Sequence, residues 1–465
     1  MISAETDLVV IGGGASAYGF LKGLGGNNHF KNTKVILIYP SEYNARTELI
    51  NIADISPKFL QKKNLLSLSY YLHSFGNYIE KGFTHIGVHG IGGMARIWGG
   101  SIGVFDKKSL IKNNFNPSEF QSIYDEIDSF LPSGCNSIKV SKKIKKLFGN
   151  YVNSRLKISF PKLLIKDNCN NCNQCLAGCD LNSIWYPTKD DFENIENLDI
   201  NIMENCFVTN ISDNKLTYKN KYNENKYLNS NTIVLAAGTM QNYKLMINLK
   251  ECKSTKAKLY TTPALAFAFL NFTRNSEKKF FGMGNATFLI EKNKNIQFYG
   301  NLYDGYSLSI SKGKVFSKYR VIDSIYKVLS RFMVVGAGFL SSDNADCNIE
   351  YINNTIVIDG KYTDEYYKNI AMILNILKKF LKEKKSIFVH IKKTNIGADL
   401  HYAGGVPNEL YDINKIIDGQ LKGIENVTVV GGSTFSYLPP ESPTLSYIAN
   451  SYRIGKNMTR SSNNE

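Results

Sequence analysis

The sequence predicts an α/β fold in which a parallel sheet, assembled from separated segments of the chain, is interrupted by an inserted α+β domain. Three observations carry the prediction. The apolar run at 8–11 enters Gly12-Gly13-Gly14, continues as a helical pattern through Ala17, Phe20, Leu21 and Leu24, and returns at 34–38 as a nearly continuous apolar strand bounded by Pro40. This is a βαβ unit whose strands are buried on both faces. Two further apolar strands, 232–237 and 427–430, run into glycines at Gly238 and at Gly431-Gly432, the end of a strand at which open α/β sheets receive ligands. Between these segments the pattern changes, to polar helices over 109–150 and to short aromatic-rich strands such as 295–299 after residue 255, read here as insertions that roof a ligand site.

A chain of 465 residues with 43% hydrophobic side chains is long enough for two domains. The expected division gives 1–107, 195–253 and 395–465 to the nucleotide domain. It gives 108–194 and 254–394, with a cysteine-rich loop at 169–179, to the substrate domain. The net charge of +16 is spread along the chain without a basic helix interleaved with aromatics, so the expected partner is a small molecule and not a nucleic acid. No basic leader or cleavage site precedes the first strand, and the longest apolar stretch, 332–340, falls short of the roughly 20 residues a spanning helix needs. A cytoplasmic protein, or one peripheral to the inner membrane face, is expected. Eight cysteines, four of them within 169–179, do not form the framework of a small secreted domain.

Gly12-x-Gly14-x-x-Ala17 follows a strand and opens a helix, the context in which glycines let the backbone approach a pyrophosphate at a helix N-terminus. The second strand ends in Tyr39-Pro40-Ser41-Glu42, so Glu42 is the candidate for the ribose, reaching it from the loop. Three more segments follow in order: Gly92-Gly93-Met94-Ala95-Arg96-Ile97-Trp98-Gly99-Gly100; Ile233-Val234-Leu235-Ala236-Ala237-Gly238-Thr239-Met240-Gln241, preceded by Cys206-Phe207-Val208; and Asp399 to Gly405 with Gly432-Ser433 and Pro443-Thr444-Leu445. Together the four resemble the glucose-methanol-choline oxidoreductase family, closest in the glycine-tryptophan loop to its pyranose-oxidase-like members.

The resemblance implies FAD held by Gly12, Gly14, Ala17, Glu42, Gly92, Gly93, Met94, Trp98, Gly99, Val208, Ala237, Gly238, Gly432, Ser433, Pro443 and Thr444. Ile97 stands where some members carry a flavin-linked histidine, so the implied FAD is non-covalent. It also implies hydride abstraction from the carbinol carbon of an alcohol, a sugar or sugar derivative by analogy with the sugar-oxidising members. A flavin-dependent isomerase and a non-catalytic flavoprotein are the alternatives.

Such chemistry needs a base near the flavin, and histidine suits it. His401 stands in the family's C-terminal His-x-x-Gly motif and is the candidate base. Ser442 occupies the position where the family has a second His or Asn, which favours altered geometry or assistance from Glu441 or Tyr402. His85 and His89 read as loop residues near the cofactor, since Gly87 and Gly90 break a helix. Finally, Cys169-x-x-Cys172-x-x-Cys175-x-x-x-Cys179 has the spacing of a bacterial ferredoxin run, with Asp180 in place of its Pro. An iron–sulfur cluster there would pass electrons to a protein or quinone acceptor, as in some multi-subunit dehydrogenases similar to this family. Zinc, or thiols without metal, are the alternatives.

Overall fold

The computed structural model describes residues 5–40, 76–132, 138–307 and 328–459, apart from 150, 153–154, 174, 176–178, 180, 250–251, 253, 274–276, 278 and 294. The apolar runs form the expected parallel sheet. Strands Ile424–Val429, Asn225–Leu235, Glu5–Ile11, Thr33–Ile38 and Leu198–Met203 lie side by side, all parallel, with Ile11 between Leu235 and Ile38. Strands Phe207–Ser212, Lys215–Lys219 and Gln420–Leu421 complete an eight-stranded sheet. The polar 213–229 stretch forms a hairpin, Lys219 pairing with Asn225.

One face of this sheet is covered by helices Ala15–Gly25 and Thr444–Asn457, which approach closely because glycines line the crossing. A Cβ at Gly23 would lie 2.1 Å from the Tyr452 carbonyl, and one at Gly455 2.1 Å from that of Phe20. Asn27 ties the pair, its Nδ2 donating to the Met458 carbonyl (2.8 Å). Helix Pro117–Asp128 starts at Asn116, whose side chain accepts from the amides of Ser118 and Glu119, with Pro117 in the first turn. Its buried residues Phe120, Ile123, Tyr124 and Ile127 share the core of Phe20 and Ile448, and Tyr124 bonds to Ser446 Oγ (2.6 Å). This helix, expected as part of a roof, packs on the C-terminal helix instead, because its apolar stripe matches that core.

The aromatic-rich segments form a six-stranded sheet in the order Ile387–Lys393, Ala264–Leu270, Met333–Phe339, Asn295–Asp304, Ala286–Lys292, Leu156–Ser159. Helix Asp364–Glu383 covers it with Tyr366, Ile370, Ile373, Leu377 and Phe380. Helix Lys142–Phe148 is pinned beside it by an ion pair with no exposed surface, Lys143 Nζ to Asp304 Oδ1 at 2.9 Å. The ammonium also donates to the carbonyls of Met333 (2.8 Å) and Arg331 (3.1 Å). A third sheet, Ala403–Pro407, Ala257–Tyr260, Ala345–Ile352, Thr355–Tyr362 and Tyr78–Lys81, takes strands from both of the expected divisions of the chain. No helix among the described residues is long and apolar enough to cross a membrane.

Candidate active site and cofactor cavity

A continuous cavity of about 290 Å³ begins at the carboxyl ends of the parallel strands and ends against the six-stranded sheet. At its first end lie Gly12, Gly13 and Gly14, with Tyr39, Pro40, Cys206, Phe207, Val208, Ala237 and Gly238 around them. Gly12 has φ +113°, and a Cβ there would lie 2.4 Å from the Ala236 carbonyl oxygen, so any side chain would wedge the first turn off the neighbouring strand. Gly14 caps the following helix with no side chain over its N-terminus. The second glycine turn is locked by Asn242, whose Oδ1 accepts from the Ala237 amide (2.9 Å) while Nδ2 donates to the Leu235 carbonyl and to Ser433 Oγ. Gly238 has φ +83°, and a Cβ there would meet nothing within 4 Å, so the backbone conformation rather than crowding selects glycine.

The glycine-tryptophan loop lies directly on the first turn. The Gly92 amide donates to the Gly13 carbonyl (2.7 Å), and Gly93 packs on Gly14. Trp98 is fixed by its Nε1 donating to the Trp185 carbonyl (2.7 Å). Gly93, Met94, Ile97, Trp98 and Gly99 line the middle of the cavity.

These surfaces fit a dinucleotide cofactor. Two glycine turns and a helix N-terminus converge on one channel, and Gln241, 5% exposed and lining it, has neither amide atom paired among the described residues. A buried unpaired amide is costly unless a ligand supplies partners. Gln241→Leu is therefore expected to weaken binding of the FAD that the sequence leads one to expect about 3- to 10-fold, the worth of a neutral hydrogen bond, as read from quenching of flavin fluorescence on titration into the protein; unchanged affinity would make Gln241 a purely structural residue.

The far end carries the candidate chemistry. His401 lines the cavity with its ring against Phe339, centroids 4.6 Å apart. Its Nδ1 is 2.7 Å from Thr262 Oγ1, whereas Nε2 has no protein partner among the described residues and faces the cavity. Burial pushes the imidazole down to about 3, so the ring is neutral and able to accept a proton. Asp399, 1% exposed, accepts from Thr261 Oγ1 (2.6 Å), the Thr262 amide (2.8 Å) and Thr262 Oγ1 (2.8 Å). Leu400 between them has φ +68°, a conformation that side chains adopt at a cost of about 1–3 kcal/mol and that tends to mark functional sites.

Ser442, Pro443 and Thr444 line the same end, the last opening helix Thr444–Asn457. Glu441 behind them is 3% exposed, with Oε2 unpartnered, and burial raises its carboxyl to about 8, so it is protonated at neutral pH. The remaining walls are Ala266, Met283, Val335, Ala337, Phe339, Tyr299 and Tyr303, with Ser101 and Asn301 as polar groups; no Lys or Arg is among the described lining residues.

The structure brings most of the sequence-predicted residues together. Gly12, Gly14, Gly93, Met94, Trp98, Gly99, Val208, Ala237, Gly238, Gly432, Pro443, Thr444, His401 and Ser442 line the cavity. Ala17 is a buried residue of the first helix, Gly92 bonds through its amide to Gly13, and Ser433 accepts from Asn242. Glu42 lies outside the described residues. His89 lines the cavity with its ring 5.5 Å from that of Phe207, while His85 is buried against Tyr78 and Tyr402.

The metal expectation finds no support. Among the described residues no group of three or more His, Cys, Asp or Glu is arranged to hold a metal ion, and Cys169, Cys172, Cys175 and Cys179 are free thiols. Their environments differ: Cys172 is exposed, whereas Cys175 is buried with Leu163, Ile165, Ile184 and Phe281, which raises its thiol to about 12. Sequence reasoning does not isolate Asp399, Thr262 or Gln241. Asp399 and Gln241 stand in matching segments without a signal of their own, and Thr262 lies outside every matching segment.

No family model matches the chain, and no curated protein matches it in sequence. Among solved structures it is similar to pyridoxine 4-oxidase from Mesorbium loti, with a TM-score of 0.64 and 12% identity over 97% of this chain and 98% of that one. Over nearly its whole length, therefore, the chain has the α/β fold of that oxidase, a nucleotide-type parallel sheet interrupted by antiparallel insertions.

Proposed function

We propose that this chain is an FAD-dependent oxidoreductase of the glucose-methanol-choline type, acting on the carbinol carbon of a neutral alcohol with His401 as base. The observation that carries the reading is the place of His401 in the wall of a glycine-lined channel that Ser442 also lines, its Nδ1 held by Thr262 and its Nε2 without a protein partner among the described residues. FAD, when bound, supplies the two-electron acceptor that takes the hydride. The chain's own part is to orient the alcohol so that its hydroxyl proton goes to His401 Nε2 as the C–H pair leaves, giving a carbonyl product. Ser442 Oγ can donate to or accept from the same hydroxyl. The fold neighbour is named for oxidising pyridoxine, an alcohol, which agrees with this reaction class.

Phe339, Met283, Val335, Tyr299 and Tyr303 give apolar and aromatic surface, with only a few polar groups among them. That surface fits a ring-bearing alcohol better than the polyol suggested by the pyranose-oxidase-like loop, since a sugar needs a partner for each hydroxyl.

Purified protein is expected to be yellow, to release free FAD on acid denaturation because Ile97 offers no attachment point, and to be bleached under anaerobic conditions by aromatic or alicyclic primary alcohols. Flavin retained on denatured protein would overturn the non-covalent reading. Full FAD occupancy with no bleaching across a panel of neutral alcohols would overturn the reaction.

A further inference from the structure

The geometry points to a carboxylate–hydroxyl–imidazole relay, Asp399 to Thr262 to His401, that fixes the tautomer of His401 and balances the charge it gains. This deepens the reading of His401 as base and rests on it. Three facts converge. The Thr262 hydroxyl, fully buried, has one proton and two polar neighbours, Asp399 Oδ2 at 2.8 Å and His401 Nδ1 at 2.7 Å. An ionised carboxylate is the stronger acceptor, so the hydroxyl donates to Asp399 and its oxygen accepts from Nδ1–H. The remaining nitrogen, Nε2, then carries a lone pair directed at the cavity, as a base requires. The left-handed Leu400 is the third fact: it turns the chain between residues 399 and 401, whose side chains meet at one threonine.

The relay answers a conflict in the site. The burial that keeps His401 neutral also penalises the imidazolium formed when it takes the substrate proton. Asp399 is the buried carboxylate that shares Thr262 with His401, and across that hydroxyl it supplies an opposite charge without receiving the proton itself. The proton stays on Nε2, and Nδ1–H stays with the imidazole. Asp399 and Thr262 are thus positioning residues. Burial raises the Asp399 carboxyl to about 6 against the three donors that hold it down, so it is mostly ionised at neutral pH. The other titratable groups facing Asp399 are the Cys347 thiol and the hydroxyls of Tyr362 and Tyr447, all raised by burial far above that range, and His401 itself faces the uncharged Phe339 ring.

The test uses FAD-loaded protein and an alcohol that bleaches the wild type. Thr262→Val and Asp399→Asn are each expected to slow flavin reduction about 10- to 100-fold, the worth of a hydrogen bond to a charged group, with substrate KM and FAD affinity little changed. Thr262→Ser, which keeps the hydroxyl, should stay close to wild type. The wild-type rate should fall as pH drops through about 6, where Asp399 loses its charge, and this limb should vanish in Asp399→Asn. An independent readout is the ¹⁵N spectrum of histidine-labelled protein, His401 being assigned by its loss in His401→Gln: wild type should show the Nδ1–H form, and Thr262→Val a mixture. Wild-type rates and an unchanged tautomer in Thr262→Val would overturn the relay while leaving the base intact. Wild-type rates in His401→Gln would instead overturn the assignment of the base.

Discussion

His401→Ala leaves FAD bound but slows its reduction by substrate about 10²- to 10⁴-fold, the usual contribution of a positioned acid–base group. Among the described residues the side chain makes one hydrogen bond, to Thr262, and one ring contact, to Phe339, so its loss opens space at the cavity wall without disturbing the glycine turns that would receive the cofactor. The neutral imidazole does not itself titrate near neutral pH, because burial holds it at about 3. Stopped-flow absorbance under anaerobic conditions measures the loss. An unaltered rate, with FAD occupancy equal to wild type, would remove His401 from the chemistry.

Asp304→Leu is expected to destabilise the fold by about 3–5 kcal/mol, because it leaves the fully buried Lys143 ammonium without its counter-charge. Lys143 already has its pKa lowered by burial, with Asp304 pulling it back up. Without Asp304 the folded state binds the lysine proton still less tightly than the unfolded chain does. The unfolded state then holds more protons, so the variant gains stability as pH rises toward the ordinary lysine pKa of about 10.4. Adding Lys143→Met removes the orphaned charge and should recover most of the loss. Urea midpoints at two pH values read both effects; a double variant no more stable than the single one would mean the damage lies in lost packing around Ser141 and Tyr306, which also bond to Asp304.

The parts of the molecule legible in the sequence are those in which one residue type answers one local demand. Gly12 and Gly238 could be read because a positive φ or a backbone within van der Waals reach admits nothing else. His401 could be read because its motif carries it to the end of a predicted ligand site. Thr262 could not: it sits 139 residues before His401 and 137 before Asp399, in a Thr-Thr-Pro corner with no pattern of its own. Gln241 looks like an ordinary helical residue until its amide is seen without partners. Helix Pro117–Asp128 shows its apolar stripe in the sequence, but periodicity says that a face is buried and not what buries it. The cysteine run is ambiguous for a related reason, since spacing does not reveal that Cys175 turns inward among aliphatic side chains while Cys172 turns out.

The glycine-lined crossing of helices Ala15–Gly25 and Thr444–Asn457 joins residues as far apart as Asn27 and Gly455, 428 positions along the chain. The first of these helices carries the turn that would cradle a phosphate, yet it acquires its packing partner only after the rest of the described chain has been made. Such distant pairing raises contact order and slows folding, since the entropy of closing so large a loop is lost before the contacts repay it. During synthesis the N-terminal βαβ unit therefore waits with one apolar helix face uncovered, a nascent state exposed to aggregation and to chaperones. Because Pro443 and Thr444 at the head of the second helix line the cavity, docking of residues 444–457 on the first helix is the step that closes this part of its wall.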